Sequence, residues 1–281
     1  LHTAVHPPFK GPESGGLPRE YLAYTVSLPF NETAPVEKTL SAGDVAAVIV
    51  EPVMGAGGAI PAEKGFLDGL RELCDRYGAL LVFDEVITGF RLALGGGQQY
   101  FGVNADVVVM GKIMGGGYPI GAFGAREDVM RLLDPRLFSG PKGSYHGGTF
   151  TGNPVSMTGG IATIRELEKP GVYEKLNQLG DHLTRSLEKV VKQQSYGVHV
   201  TGAGSIVGVH FTRCRPRNGR ESWEERWSRL AYRLFHAYAL RNGIAYMTRE
   251  QIHFLLSASH ERKEINRLVE TFAAFLDELH T

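Results

Sequence analysis

Val107-Val108-Val109-Met110-Gly111-Lys112-Ile113-Met114-Gly115-Gly116-Gly117 is a continuous apolar run that ends in one lysine and a triple-glycine loop. A run this apolar reads as a strand covered on both faces, the habit of parallel sheets. Lys112 falls just past its end, where a lysine is either a solvated loop charge or a reactive amine. An ε-amine held at a strand end, partly desolvated or beside other cations, gives up some preference for the ammonium form and condenses with aldehydes. The segment alone leaves both readings open.

Upstream, Ala79-Leu80-Leu81-Val82-Phe83-Asp84-Glu85-Val86-Ile87-Thr88-Gly89 is a second apolar run, and it ends in an acid twenty-eight positions before Lys112. That interval suffices for a crossover between parallel strands. Asp84 and Lys112 are then expected at the carboxyl ends of strands in one sheet, where open α/β folds place ligands. A carboxylate there can keep a pyridine nitrogen protonated while a lysine holds an aldehyde as a Schiff base, and the bland alternative is a structural salt bridge between the two.

Four motifs in this order carry a resemblance to a known family. Glu51-Pro52-Val53, Asp84-Glu85-Val86-Ile87-Thr88-Gly89-Phe90-Arg91, Gly111-Lys112-Ile113-Met114-Gly115-Gly116-Gly117 and Gly147-Gly148-Thr149-Phe150-Thr151-Gly152-Asn153-Pro154 resemble the motif series of class III pyridoxal-phosphate aminotransferases. The branch they are most similar to is glutamate-1-semialdehyde 2,1-aminomutase and its aminotransferase relatives, and the resemblance runs from about Ala46 to the C-terminus. It implies an α/β chain of the pyridoxal-phosphate transferase fold (fold type I), with a mainly parallel sheet in a large domain and a smaller C-terminal α+β domain. It implies pyridoxal 5'-phosphate as cofactor, Lys112 as the Schiff-base lysine, and Asp84 as partner of the pyridinium nitrogen. Val86, two residues on and on the same side of the strand, would pack against the ring. Thr149 resembles the residue that reaches the cofactor phosphate of a neighbouring subunit, which implies a homodimer with a shared site. Glu51 resembles a glutamate near the substrate side of the ring. Each of these also has a plainer reading: Val86 as core, Thr149 as a loop hydroxyl, Glu51 as a strand-end charge.

The same resemblance sets the expected activity. The chain moves an amino group between an amine or amino acid and a keto or aldehyde acceptor, with the aminomutase as alternative. Where the aminomutase has a glutamate before its last strand, this chain has Met247-Thr248-Arg249-Glu250-Gln251-Ile252-His253-Phe254, with His253 in the matching register. An arginine for a substrate α-carboxylate has only Arg249 as candidate. Ile87, where some aminotransferases have glutamine, keeps the comparison on the aminomutase-like branch. A third reading, outside enzymology, is a truncated, silent paralogue that serves as a dimeric scaffold. A complete class III enzyme has a further amino-terminal portion with a glycine-serine phosphate loop and an aromatic residue that stacks on the ring, and neither is found before Glu51. The expectation is that this portion is absent from the chain, in keeping with a start at leucine rather than methionine.

Composition agrees without pointing to a reaction. The chain has 281 residues, 43% hydrophobic, with 30 basic and 30 acidic residues. Such a chain buries a substantial core, as one large domain or two modest ones, and has no global field to recruit nucleic acid or an acidic membrane. Cys74 and Cys214 lie far apart without metal-ligand spacing, so a reducing compartment and no metal site are expected. No stretch reaches the roughly 18 apolar residues of a membrane span, and the first ten residues lack a secretory core, which reads as a cytoplasmic protein. His2 and His6 are four apart, but Pro7-Pro8 argues against a helix aiming both at one metal. Ser144-Tyr145-His146 reads as local hydrogen bonding, and no G-x-S-x-G turn is present.

Two glycine clusters invite a dinucleotide reading. Gly55-Ala56-Gly57-Gly58 lacks the third glycine at the right offset, and Gly202-Ala203-Gly204-Ser205-Ile206-Val207-Gly208 runs into strand-like residues where the fingerprint needs a helix amino terminus. The remaining pattern alternates strand and helix. Strands are expected at Ala46 to Val50, Ala79 to Phe83, Val107 to Met110 and Ile120 to Phe123, with a helix at Gly65 to Tyr77. Asn153 as cap and Pro154 in the first turn open a helix to about Glu168, followed by one over Val172 to Gln194. The tail reads as strands near Ser205 to Phe211, Ile244 to Met247 and His253 to Ser257, with helices near Trp223 to Arg241 and Glu261 to Leu279. The domain boundary is expected near Asn153, giving a large domain over 1–153 and a small domain over 154–281.

Overall fold

The computed structural model describes residues 16, 18–137, 143–194, 197–247 and 249–279. His2, His6 and Thr248, each weighed above, lie outside them. Along the chain run α1 (Arg19–Leu22), α2 (Thr33–Leu40), β1 (Ala47–Val50), β2 (Val53–Met54), β3 (Ile60–Pro61), α3 (Phe66–Tyr77), β4 (Leu80–Glu85), α4 (Gly96–Phe101), β5 (Val107–Gly111), β6 (Gly121–Ala125), α5 (Glu127–Met130), α6 (Pro154–Leu167), α7 (Val172–Val191), β7 (His199–Ala203), β8 (Ile206–His210), α8 (Gly219–Glu224), α9 (Arg229–Arg241), β9 (Ile252–Leu255) and α10 (Arg262–Leu279).

These elements form two compact units. One is made of Glu37–Pro52 and Leu67–Val172; the other takes the described residues up to Val36, Val53–Phe66, and the chain from Tyr173 onward. The division differs from a single cut at Asn153. A two-stranded hairpin, β2 and β3, joins the second unit, and α6 stays with the first because its glycines pack on the loop that follows β5.

The first unit is a four-stranded sheet in the order β1-β4-β5-β6. β1, β4 and β5 are parallel, and Asp84 stands beside Val109 and Glu85 beside Met110. β6, expected at Ile120 to Phe123, spans Gly121–Ala125 and runs antiparallel, with Phe123 opposite Val109. Its short link to β5 permits only a reversal, since a parallel return needs a crossover. Phe83 and Leu81 are fully buried, but Val107 to Met110 are only half-buried and Ile49 is 71% exposed. The expectation of strands covered on both faces therefore holds for β4 and not for β5, and β1 is exposed on one side.

Asp106 ties this unit together. Its carboxylate accepts from the Leu81 backbone N–H (2.7 Å), Arg71 (2.9 Å) and Arg126 (2.8 Å), so it joins the entrance of β4 to α3 and to the residue after β6. Burial opposes the charge, but the Leu81 N–H and the two guanidiniums outweigh it and hold the carboxyl below the usual range. A depressed folded-state pKa means that the contribution is present above the unfolded value, about 3.9, and is lost as pH falls through the folded one. Asp106→Asn is therefore expected to destabilise by about 1–3 kcal/mol at neutral pH. The difference should shrink as pH falls through the depressed carboxyl pKa, which urea titrations followed by circular dichroism can measure.

The second unit is the antiparallel sheet β7-β8-β9 packed under α7, α9 and α10. β8 is buried at every position, and Leu179, Leu183 and Leu187 of α7 lie on the predicted apolar face. Phe211, Phe235 and Phe272 fill the centre, with Phe211 edge-on to Tyr232 at 5.1 Å between centroids. Each such ring contributes roughly 1.5–3 kcal/mol by burial.

Two expectations are corrected in this unit, and one strand is added to them. Ile244 to Met247 is not a strand: Ile244 and Tyr246 are half-buried, Tyr246 with its ring on Phe235 and His236 of α9, while Ala245 and Met247 are exposed and no ladder partner is present among the described residues. The single helix over Trp223 to Arg241 is two, α8 and α9. Residues between them pair with the chain after β8, Arg213 N–H to Glu225 O at 2.9 Å, and Ser228 Oγ then caps α9 through the Ala231 N–H. β7, unforeseen, pairs with β8, and Gly204-Ser205 is the turn between them rather than a helix amino terminus.

Candidate active site

The site is built at the carboxyl ends of β4 and β5. Side chains alternate along a strand, so the register Asp84 to Val109 puts Asp84, Val86, Val109 and Gly111 on one face and Glu85, Val108 and Met110 on the other. On the first face lies an open groove of about 760 Å³, lined by Val86, Val109, Gly111, Lys112, Phe123 and His146 among others. Its size is in the range that accepts a small-molecule ligand.

Lys112 sits at the mouth of this groove and is exposed. Its backbone is left-handed (φ 49), a conformation that costs a residue with a β-carbon about 1–2 kcal/mol. Such strain persists only where surroundings impose it, and it concentrates at functional sites. Here the imposing surroundings are the turn Lys112–Gly115 and α6 behind it. Gly116 (φ 60) abuts the Gly159 carbonyl, and a β-carbon on Gly160 would run into the Met114 carbonyl. Ser156 Oγ donates to Pro119 O at 2.8 Å, and Asn153 Oδ1 caps α6 by accepting from the Val155 N–H at 2.9 Å. The glycines after Lys112 thus allow backbone-to-backbone packing that holds the lysine's turn.

Asp84 is half-buried. Its Oδ1 accepts from the Val86 N–H at 3.1 Å, and among the described residues no ion pair joins it to Lys112. The structural salt bridge weighed as the bland alternative is therefore not formed. Val86 reaches Gly111, where an added β-carbon would lie 3.5 Å from its Cγ1. Phe123 and His146 meet edge to face at 5.0 Å across the groove. Val86, Lys112 and the Asp84 face are thus brought together. Glu51 ends β1, half-buried, and Thr149 lies in the exposed Gly143–Asn153 loop; neither lines the groove.

His146 was read as a loop residue, and no sequence pattern marks it as a wall of this groove. Phe123 had a signal, being the one large side chain of β6. His253, in β9, is half-buried; burial lowers its pKa, and its Nδ1 faces Gln251 O at 3.2 Å, so it stands as a neutral imidazole and not as an acid. Arg249 is exposed. Cys74 is buried, its thiol pushed up to about 11 by burial, and Cys214 is exposed. Among the described residues no group of three or more His, Cys, Asp or Glu could hold a metal ion, and no helix is long and apolar enough to cross a membrane.

A sheet of this topology with a lysine after one parallel strand and an acid at the end of its neighbour belongs to a known class. The chain is a member of the Aminotransferase class-III family, whose model matches residues 22–276. It is 40% identical over 265 residues to glutamate-1-semialdehyde 2,1-aminomutase of Methanothrix thermoacetophila, covering 94% of this chain and 60% of that one. Among solved structures it superposes on an omega-transaminase from Sphaerobacter thermophilus with a TM-score of 0.87 at 36% identity, over 96% of this chain and 61% of the other. A beta-phenylalanine aminotransferase from Variovorax paradoxus gives 0.81 at 34% identity, over 89% and 57%. The chain spans about 60% of the length of the curated relatives it matches. The α/β fold of these neighbours, the pyridoxal-phosphate transferase fold, is the one expected from the sequence.

The groove's chemistry fits the family's cofactor in part. One amine, a carboxylate on the same face, and apolar Val86 suit an aromatic aldehyde with a ring nitrogen. Among the lining residues Lys112 is the only cation of the lysine or arginine type, so the described groove holds no separate donor set for a phosphate.

Proposed function

We propose that this chain carries the amino-transferring centre of a pyridoxal-phosphate-dependent transaminase, with Lys112 as covalent anchor. The observation that carries the reading is Lys112 itself: a left-handed lysine held by glycine-to-glycine packing at the mouth of a groove, beside Val86 and the Asp84 face. Bound there, pyridoxal phosphate supplies an aldehyde that condenses with amines and a protonated ring that draws electrons from the substrate carbon. Lys112 Nζ would hold the cofactor covalently and, when free, would serve as the general base and acid that takes up and returns the proton of the substrate carbon. The Asp84 carboxylate keeps the ring nitrogen protonated, and Val86 supports the ring face. Thr149, exposed on its loop, is assigned to the cofactor phosphate of a second subunit in a homodimer, and Glu51 to the substrate side.

Aminotransfer between an amine or β-amino acid and a keto or aldehyde acceptor is the first reading, supported by the two transaminases named above. The aminomutase reaction is the second, supported by the curated relatives. The test is direct. Purified protein is incubated with pyridoxal phosphate, reduced with borohydride and digested; the label is expected on Lys112. Bleaching by an amine and recovery with pyruvate marks a transaminase, whereas semialdehyde isomerisation without an external acceptor marks the aminomutase. Failure to take up any label leaves the scaffold reading standing.

A further inference from the structure

Glu85 is a charged residue at 2% exposure on the opposite face of the sheet from Lys112, and no step above uses it. Its carboxylate is fully engaged. Oε2 accepts from the Gly97 N–H (2.5 Å) and Thr88 Oγ (2.8 Å), and Oε1 accepts from the Gln98 N–H (3.0 Å). These are the amides that open α4, so a buried negative charge meets unpaired helix N–H groups, which stabilises both. Gly96 (φ 66) lies against the carboxylate where no β-carbon would fit, and a β-carbon on Gly97 would stand 2.7 Å from Pro52 Cγ.

The network extends in both directions from Glu85. Gln98 Oε1 accepts from the Ala105 N–H at 2.8 Å, just before β5, the strand that delivers Lys112. On its own chain Glu85 accepts the Gly89 N–H at its carbonyl (2.8 Å), and it is flanked by Asp84 and Val86. The Glu85 side chain therefore pins the end of β4 to the start of α4, and the Gln98 side chain carries the link on to the entrance of β5. Among the described residues the Asp84 carboxylate is aimed from its own face by the Val86 N–H at 3.1 Å.

We infer that Glu85 is a positioning residue: it fixes, from the back of the sheet, the turn that aims Asp84 and Val86 at the cofactor ring. This rests on the proposed cofactor reading and adds a residue to it. The experiment compares wild type, Glu85→Gln and Thr88→Val, the last removing one donor from the carboxylate while leaving the backbone alone. The readouts are amide hydrogen exchange at Val86 and Gly97, the dissociation constant for pyridoxal phosphate, and the pH dependence of the bound cofactor's absorption. Glu85→Gln is expected to speed exchange at both amides, to raise the dissociation constant about tenfold, the scale of one charge-assisted hydrogen bond, and to shift the spectral midpoint. Thr88→Val should move all three in the same direction by less. Wild-type affinity and an unshifted spectral midpoint in Glu85→Gln, whatever its melting temperature, would overturn the assignment. If that variant does not fold, the same result in Thr88→Val overturns it. Absence of cofactor uptake by the wild type is a different failure, since it removes the cofactor reading itself and the positioning role with it.

Discussion

Lys112→Ala is expected to remove turnover entirely while leaving the fold in place. The lysine carries both the covalent attachment and the proton transfer, and general acid–base catalysis alone is worth about 10²–10⁴-fold. Among the described residues no hydrogen bond or ion pair of the sheet depends on the exposed side chain, and an alanine still carries a β-carbon in the left-handed turn, so the melting temperature should stay within about 2 °C of wild type, as for a surface change. Borohydride should leave no label at position 112. Wild-type turnover in this variant would remove Lys112 from the reaction. A companion, Lys112→Gly, should be slightly more stable than the alanine variant, because glycine relieves the left-handed strain.

Asp84→Asn is the second large effect, and it isolates charge from geometry. The asparagine oxygen can still accept the Val86 N–H, so the turn after β4 keeps its internal hydrogen bond. What is lost is the negative charge opposite a pyridinium nitrogen. Removing one partner of a desolvated ion pair costs about 3–5 kcal/mol, or roughly 10²–10⁴-fold by the tenfold-per-1.36 kcal/mol conversion. Cofactor affinity is expected to fall within that range. The ring should titrate at lower pH in the variant, because the charged form of the nitrogen has lost its partner. Absorbance titration of the bound cofactor measures this, and an unchanged midpoint would show that Asp84 does not face the ring.

The two residues differ in what made them legible. Asp84 and Lys112 each end an apolar run, and the distance between them suits a parallel crossover, so their place at one sheet edge follows from period and spacing. α6 and α7 were equally readable, from Asn153-Pro154 and from the leucines of one helical face. Prediction failed at Ile244 to Met247, where two half-buried side chains pack without a ladder partner, while β6 was legible as a strand but not in its direction. The helix that Asn153 opens carries no local mark of the unit it packs with, because its cap is made by local chemistry.

The sequence by itself determined the strand ends, the helix faces and the four ordered motifs, because these depend on residues within one or two turns of each other. Only the tertiary structure decided that the triple glycine serves the close approach of α6, that His146 and Phe123 wall the groove, and that Glu85 braces the Asp84 turn from behind. Each of these joins residues at least a dozen positions apart, and for α6 about forty, in backbone contacts and single hydrogen bonds. Such pairings leave no periodicity in the chain: they exist only once two separately legible elements have been packed together.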